Sequence, residues 1–249
     1  SFFYPLIASR GCPESCSFCF SKRMTRGFRT YPIAHVLEQV RRRPSYVNAA
    51  YFVDDNLIAD LDYARELFRE LRKVKVPFGM QARASFAENE DDLRLARDAG
   101  CTLMSSGYES VNQATLKGTG KRTLASEYRD LIAAINRSGI IAAGNWMFGF
   151  DWDTLDSFRE TIEFIDTTDL GHCSFTAEIP FPGTATFRRY EKEGRILTYD
   201  YDRYLGKDEV VFRPKGMTPE QLRDGVRWIT HEFYSFRRAT RRLRRALRE

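Results

Sequence analysis

Short apolar runs alternate with longer segments of helical period along most of the chain, and this alternation narrows the available folds more than any other feature. The runs are FFYPLIAS (2–9), NAAYFVDD (48–55), PFGMQARA (77–84), CTLMSSG (101–107), GIIAAGNWMFGF (139–150) and HCSFTAEI (172–179). Between them the spacing predicts helices near 31–43, 60–74, 89–99, 123–138 and 154–167, with a sixth at 184–195. Repeated βα units favour a parallel sheet, because each crossover helix returns the chain to the same end and the crossovers are right-handed. Six units fall short of the eight that close a barrel. The expected fold is therefore α/β, an open partial (βα)6 TIM-like barrel, with a doubly wound open sheet as the alternative.

Residues 1–195 form the barrel core in this reading and 196–249 a C-terminal extension. Residues 198–216 look irregular. A long helix is expected from Pro219, with Thr218 as N-cap and Gln221 completing a capping box. Leu222, Val226, Ile229, Phe233, Phe236, Leu243 and Leu247 keep one face of it and need a partner surface, most simply the barrel. The end of this helix, RRATRRLRRALRE (237–249), carries seven arginines against one glutamate. It reads as a solvated helix end suited to the helix dipole, or as a contact for an anionic membrane surface, with nucleic acid the less favoured partner.

With 249 residues, 43% apolar and 29% charged, the chain has the composition of a globular protein. No run reaches the roughly 18 apolar residues of a membrane span, and the N-terminus lacks a signal-peptide layout, so the chain reads as cytoplasmic. It begins at Ser1 rather than methionine and is read as an excised piece or a form that has lost its start.

Three of the five cysteines fall within RGCPESCSFCF (10–20), spaced C-x3-C-x2-C directly after the first predicted strand. Loops at the carboxyl ends of βα strands carry the chemistry of such folds. A structural zinc site wants a fourth ligand, and His35, His172 and His231 have no finger-like spacing to the cysteines. An electron-transfer iron–sulfur cluster likewise wants a fourth cysteine. Three thiolates can instead hold three corners of a cubane cluster and leave one iron open, as catalytic metal centres do. Cys101 and Cys173 stand alone and read as buried, inert thiols.

The C-x3-C-x2-C loop, with Phe18 before its last cysteine, resembles the signature of the radical S-adenosylmethionine (SAM) superfamily. FVDDNL (52–57), QARAS (81–85), AGCTLMSSGYES (99–110), LKGTGKRT (116–123), GIIAAGNWMFGFDWDT (139–154) and PFPGTATF (180–187) extend the resemblance. They are similar to the subgroup that usually carries an N-terminal cobalamin (B12)-binding domain. The resemblance implies a [4Fe-4S] cluster on Cys12, Cys16 and Cys19, with SAM on the open iron and one-electron cleavage to a 5'-deoxyadenosyl radical. That radical would abstract hydrogen from an unactivated carbon of a small-molecule substrate. C-methylation with cobalamin is the favoured outcome, and cobalamin-independent rearrangement, cyclisation or oxidation the alternative. An RNA-modifying core and a non-catalytic cluster-binding module stand outside both. A flavodoxin- or ferredoxin-type electron donor is implied. The chain departs from the subgroup in two ways: Asp151 follows Gly149 and Phe150 where proline is usual, and the eleven residues before Cys12 are too few for a cobalamin domain.

Carried onto this sequence, the resemblance gives Phe18 a place against the adenine and gives Glu109 a ribose hydroxyl or the methionine ammonium. The alternative for Glu109 is a strand-end salt bridge. Lys121 falls where a cation meets the cofactor carboxylate, or is a solvated loop lysine. Gln81 and Arg83 point to one side of the third strand, since side chains alternate, and favour cofactor contact over a structural ion pair of Arg83. Asp54, Asp55 and Asn56 end the second strand, to hold the ammonium or face substrate, unless Asp55 and Asn56 only cap a turn. Asn145 is placed to reach the ribose. Trp146, Phe148, Phe150 and Trp152 alternate and read as packing between barrel and helix; facing the lumen, they would point to an apolar substrate, lipid- or natural-product-like.

Overall fold

The computed structural model describes residues 3–205 and 209–246. All six expected strands form: β1 (Tyr4–Leu6), β2 (Ala50–Phe52), β3 (Phe78–Gln81), β4 (Cys101–Glu109), β5 (Ile141–Phe148) and β6 (His172–Ala177). They make one sheet in sequence order, every neighbouring pair parallel. The order places Tyr4–Leu6 and His172–Ala177 at the two edges, so this is an open barrel rather than a doubly wound sheet.

Side-chain alternation divides each strand between two faces. The outward set is apolar and buried under the helices: Leu6, Ala50, Phe52, Phe78, Met80, Met104, Ala142, Trp146, Phe148, Cys173 and Phe175. Phe52 and Phe78 meet edge-on at 5.3 Å, and Trp146 stacks on Tyr108 at 5.3 Å. The inward set mixes apolar residues such as Tyr51, Leu103 and Met147 with Gly79, Gln81, Ser105, Gly107, Asn145 and Ser174, the polar ones joined across the strands as Gln81–Ser105 and Asn145–Ser174.

The predicted helices lie at Ile33–Arg41, Leu61–Val74, Glu90–Asp98, Tyr128–Arg137, Asp156–Asp166 and Ala185–Lys192. A helix at Gln113–Thr119 and a short one at Ser21–Met24 were not foreseen. A two-stranded antiparallel ribbon, Ser9–Arg10 with Arg29–Thr30, also falls outside the predicted runs.

The C-terminal helix differs from expectation. Its start is as predicted: Thr218 Oγ1 accepts from Gln221 N at 3.2 Å, and Gln221 Oε1 accepts from Thr218 N at 2.8 Å. It ends at Phe233, however, and a second helix runs over Phe236–Ala246. At the break Tyr234 Oη donates to Cys173 O at 2.8 Å and lies 2.7 Å from His172 Nδ1, pinning the first helix to the edge strand. Leu222, Ile229 and Phe233 are fully buried against the barrel, with Phe233 and Phe175 5.7 Å apart. Past the break the stripe fails: Phe236 is 85% and Leu243 61% exposed. Leu247 lies outside the described residues.

Arginine, not leucine, fastens the second helix. Arg238 pairs with Asp166 at 3.1 Å and with Glu232, and Arg241 also pairs with Asp166. Arg242 lies 3.9 Å over the Phe233 ring and donates to Phe233 O at 2.8 Å. Among the described residues no helix is long and apolar enough to cross a membrane.

Candidate active site

Cys12, Cys16 and Cys19 line a single cavity at the carboxyl end of the sheet, and all are free thiols. The loop is held from both sides: Ser17 N donates to Thr119 O at 3.0 Å, and Ser17 O accepts from Thr186 N at 3.1 Å. Gly11 enters it with φ of +81°, where a β-carbon would stand 2.5 Å from Thr25 Oγ1 and 2.8 Å from Gly27 O. Only glycine lets the segment 25–27 lie against the start of the cysteine loop.

Burial pushes the Cys12 thiol up, with Cys19, Glu14 and Asp55 adding to it against a backbone N–H that opposes. It also pushes Cys16 up, although Lys121 pulls the other way. Both therefore stay protonated until a cation draws the proton off, as metal ligation does. Among the described residues no three His, Cys, Asp or Glu side chains are grouped as ligands of one metal ion. Three thiols around one cavity fit a polynuclear cluster, in which each cysteine would meet a different iron.

The rest of the wall carries most of the expected residues. Phe18, Asp55, Gln81, Arg83, Glu109, Lys121 and Asn145 all line the cavity, as does Asn56. Glu109 and Lys121 form an ion pair at 3.0 Å with only 11% and 15% of their side chains exposed. Lys121 Nζ also donates to Gly107 O at 2.9 Å. Burial works against the lysine's charge, but Glu109 and Cys16 outweigh it and its pKa is raised. Glu109 adopts φ of +63° at a register shift in β4, a left-handed conformation uncommon for a residue with a side chain. A β-carbon at Gly107 would stand 2.3 Å from Glu109 Oε1 and 3.1 Å from Lys121 Nζ, so glycine makes room for the pair over the strand. The salt bridge and the cavity position thus coincide.

Arg83 pairs with Glu14, between the first two cysteines, and this joins β3 to the cysteine loop. Its expected alternative, a structural ion pair, is present, and the side chain still faces the cavity. Asp55 accepts from Ser21 Oγ at 2.6 Å. Asn145 Nδ2 donates to Ser105 Oγ at 3.0 Å, a partner the sequence reading passed over; Ser105 shares its strand face with Gly107, and that parity was the available signal. Asn56 is 3% exposed, and its Oδ1 has no hydrogen-bond partner among the described residues. A buried acceptor in a cavity wall is costly unless a ligand supplies the donor.

Asp54 departs from its expected role. It is 1% exposed, absent from the cavity wall, and accepts from Ala8 N at 3.1 Å, from Ser9 Oγ at 2.6 Å and from Ser9 N. Burial raises its pKa against these bonds. Its carboxylate ties β2 to the chain leaving β1, which leads into the cysteine loop.

Of the aromatic run, Trp146, Phe148 and Phe150 are buried and Trp152 is 40% exposed. Trp146 and Phe148 belong to the helix-facing core, Phe148 stacking on Phe158 at 4.5 Å. Phe150 packs on Phe18 at 5.5 Å. The turn after β5, where aspartate replaces the usual proline, is a charged hub. Asp151 pairs with Arg195 at 2.7 Å, Lys215 at 3.0 Å and Arg189 at 3.3 Å.

The three-thiol loop at the strand ends of an open parallel barrel defines a class, and the chain belongs to it: the radical SAM superfamily, whose profile matches residues 6–165. The chain is 30% identical over 236 residues to bacteriochlorophyllide d C-12(1)-methyltransferase of Chlorobaculum tepidum, covering 92% of this chain and 51% of that protein. It is 24% identical over 233 residues to the anaerobic magnesium-protoporphyrin IX monomethyl ester cyclase of Cereibacter sphaeroides, covering 91% and 38%. The fold is similar to that of the radical SAM methyltransferase TsrM from Kitasatospora setae, with cobalamin and a [4Fe-4S] cluster bound. The TM-score is 0.69 at 16% identity, over 77% of this chain and 37% of that one. The chain thus spans about half the length, 51%, of the first of these relatives.

Proposed function

We propose that this chain is the catalytic core of a radical SAM enzyme that functionalises an unactivated carbon of a small organic molecule. The observation that carries the reading is the set of three thiols around one cavity whose wall also holds the Glu109–Lys121 pair and the unpartnered Asn56 acceptor. When bound, a reduced [4Fe-4S] cluster supplies the electron that splits the cofactor's carbon–sulfur bond. Cys12, Cys16 and Cys19 hold that cluster. Asn56 and Glu109 would accept from the cofactor's ammonium and hydroxyl donors, while Lys121 and Arg83 would face its carboxylate. Gln81 and Asn145 would meet the cofactor's ribose side, Phe18 would border the adenine, and Asp55 would hold the ammonium or face substrate.

Methyl transfer with cobalamin is the favoured outcome, supported by the methyltransferase relative and by the cobalamin bound in the similar TsrM structure; the cyclase relative supports cyclisation as the second reading. Trp146 and Phe148 contribute to the outer core, and the cavity wall carries the amides of Gln81 and Asn145 and the hydroxyl of Ser105. The substrate therefore presents hydrogen-bonding groups beside its reacting carbon. A contact of the last helix with an anionic membrane surface is a separate proposal, supported by exposed Phe236 and Leu243 and checked by sedimentation with anionic vesicles.

Anaerobic reconstitution with iron and sulfide, followed by dithionite and SAM, is the test. Release of 5'-deoxyadenosine that is abolished in Cys16→Ala is expected. Protein that binds no iron, or binds it and releases none of this product, rules the reading out.

A further inference from the structure

The segment that follows the cluster loop is basic without compensation. From Ser15 to Leu37 the sequence has no acidic residue, while Lys22, Arg23, Arg26 and Arg29 fall within eight positions. The structure keeps all four at the surface, and the Ser21–Met24 helix buries none of its residues. Among the described residues none of the four forms an ion pair with a carboxylate; Lys22 meets only Ser15 Oγ, at 3.4 Å. Of the acids on the neighbouring cavity wall, Glu14 is paired with Arg83, and Asp55 accepts from Ser21 without an ion pair to any of the four. This sets the patch apart from the C-terminal helix, where Asp166 and Glu232 neutralise several arginines.

Two features fasten the patch to the cluster loop. Gly11 lies directly against Thr25 and Gly27, so Arg26 sits between two residues in contact with the start of the loop. The ribbon pairs Arg10 with Arg29 in direct register. Like charges opposite one another on paired strands are destabilising. Arg10 Nε donates to the neutral Tyr31 hydroxyl at 2.7 Å, which leaves both positive charges in place for an anionic partner to offset. Met24, 73% exposed among these cations, supplies an apolar contact.

We infer that the surface formed by Arg10, Arg23, Met24, Arg26 and Arg29 is the docking face for an acidic one-electron carrier protein, through which the cluster loop is reduced. This rests on the radical SAM reading of the cavity. The exchange is one electron: the carrier is oxidised by one, the centre held by the three cysteines is reduced by one, and no group or proton moves between them. Electron-transfer contacts are small and transient, and opposite charge mainly raises their encounter rate.

The test is stopped-flow mixing of the reconstituted full chain with flavodoxin in its hydroquinone form, following bleaching of the cluster absorbance. The charge-reversal variant Arg23→Glu/Arg26→Glu/Arg29→Glu leaves out Lys22, which lines the cavity. In the natural protein the rate should fall roughly tenfold or more as salt is raised, and the variant at low salt should be slower by a similar factor. Reduction by dithionite should be unchanged in the variant, which also shows that its fold and cluster are intact. Equal flavodoxin rates in the two proteins, a salt-independent rate, or loss of dithionite reduction in the variant would each overturn the inference. So would binding of RNA or anionic vesicles through these arginines with the flavodoxin rate unaffected. Natural protein with no dithionite-reducible iron would instead sink the active-site reading, and this inference with it.

Discussion

The rim of strand ends has two halves that use buried polar groups in opposite ways. Over β2 to β4, Asn56 and Glu109 stand in the wall of the cavity; over β5 and β6, Glu178 stands outside it. Asn56 and Glu178 are 3% and 1% exposed, and each has one oxygen with no hydrogen-bond partner among the described residues. Glu109 is met by the Lys121 ammonium at 3.0 Å, whereas Glu178 is met by the neutral Tyr190 hydroxyl at 2.6 Å. The neighbouring Arg189 and Arg195 pair with Asp151 instead. The contrast shows that burial alone does not mark a site. What separates the halves is whether the unsatisfied group borders space that a ligand can fill.

The largest effect expected from this contrast is on stability against pH. Burial is the main cause that raises the Glu178 carboxyl from 4.5 to about 8, with Tyr190 and Arg189 opposing it. A carboxyl raised in the folded state binds its proton more tightly there than in the unfolded chain. Its contribution is therefore fully present below about pH 4.5 and is lost as pH rises through about 8. Denaturant unfolding of the full chain should lose on the order of 4 kcal/mol across that window. Glu178→Gln, neutral throughout, should remove most of the slope. Asp153, raised by burial to about 6, adds a smaller fall between about pH 4 and pH 6. A slope unchanged in Glu178→Gln would mean that the two halves of the rim do not differ as argued.

Much of this arrangement was legible because parallel strands buried on one face and packed under helices must be short apolar runs. All six strands and the six main helices were found on that ground, and the cysteine spacing placed the cavity at the right end of the sheet. What escaped depended on contacts distant in sequence or on local chemistry with a weak pattern. Asp54 at a strand end reads like Asp55 beside it; only the fold shows that its partners are Ala8 and Ser9. The Gln113–Thr119 helix contains Gly118 and two threonines, a poor helical signal, yet the Trp152 ring occupies the space a β-carbon at Gly118 would need. The break at Tyr234 interrupts an unbroken apolar period, because a hydroxyl bonded to the edge strand and arginines bonded to Asp166 outweigh the stripe.

A smaller effect sharpens the cavity side of the comparison. Glu109→Gln keeps the side-chain volume and the positive-φ backbone but withdraws the charge that faces Lys121. Removing a charged hydrogen-bond partner is worth roughly 1.5–3 kcal/mol. The reconstituted variant should therefore bind SAM roughly tenfold or more weakly in equilibrium dialysis. Unaltered affinity would reduce the pair to a strand-end salt bridge, the structural alternative for this residue.

The smallest effect is the most discriminating, since it concerns one neutral atom. If the Asn56 Oδ1 acceptor is left unpaired for a ligand, Asn56→Ala removes one hydrogen bond from the complex but none made by that atom among the described residues of the free protein. SAM affinity should fall by roughly threefold to tenfold, the range of a single neutral hydrogen bond. Unfolding free energy without ligand should change by less than about 1 kcal/mol, because lost packing is offset by removal of an unsatisfied acceptor. Glu178→Gln should behave inversely, moving stability with pH and leaving SAM affinity alone. Were Asn56→Ala to destabilise the free protein while binding SAM normally, its acceptor would belong with Glu178 as part of the scaffold, and would no longer speak for a ligand in the cavity.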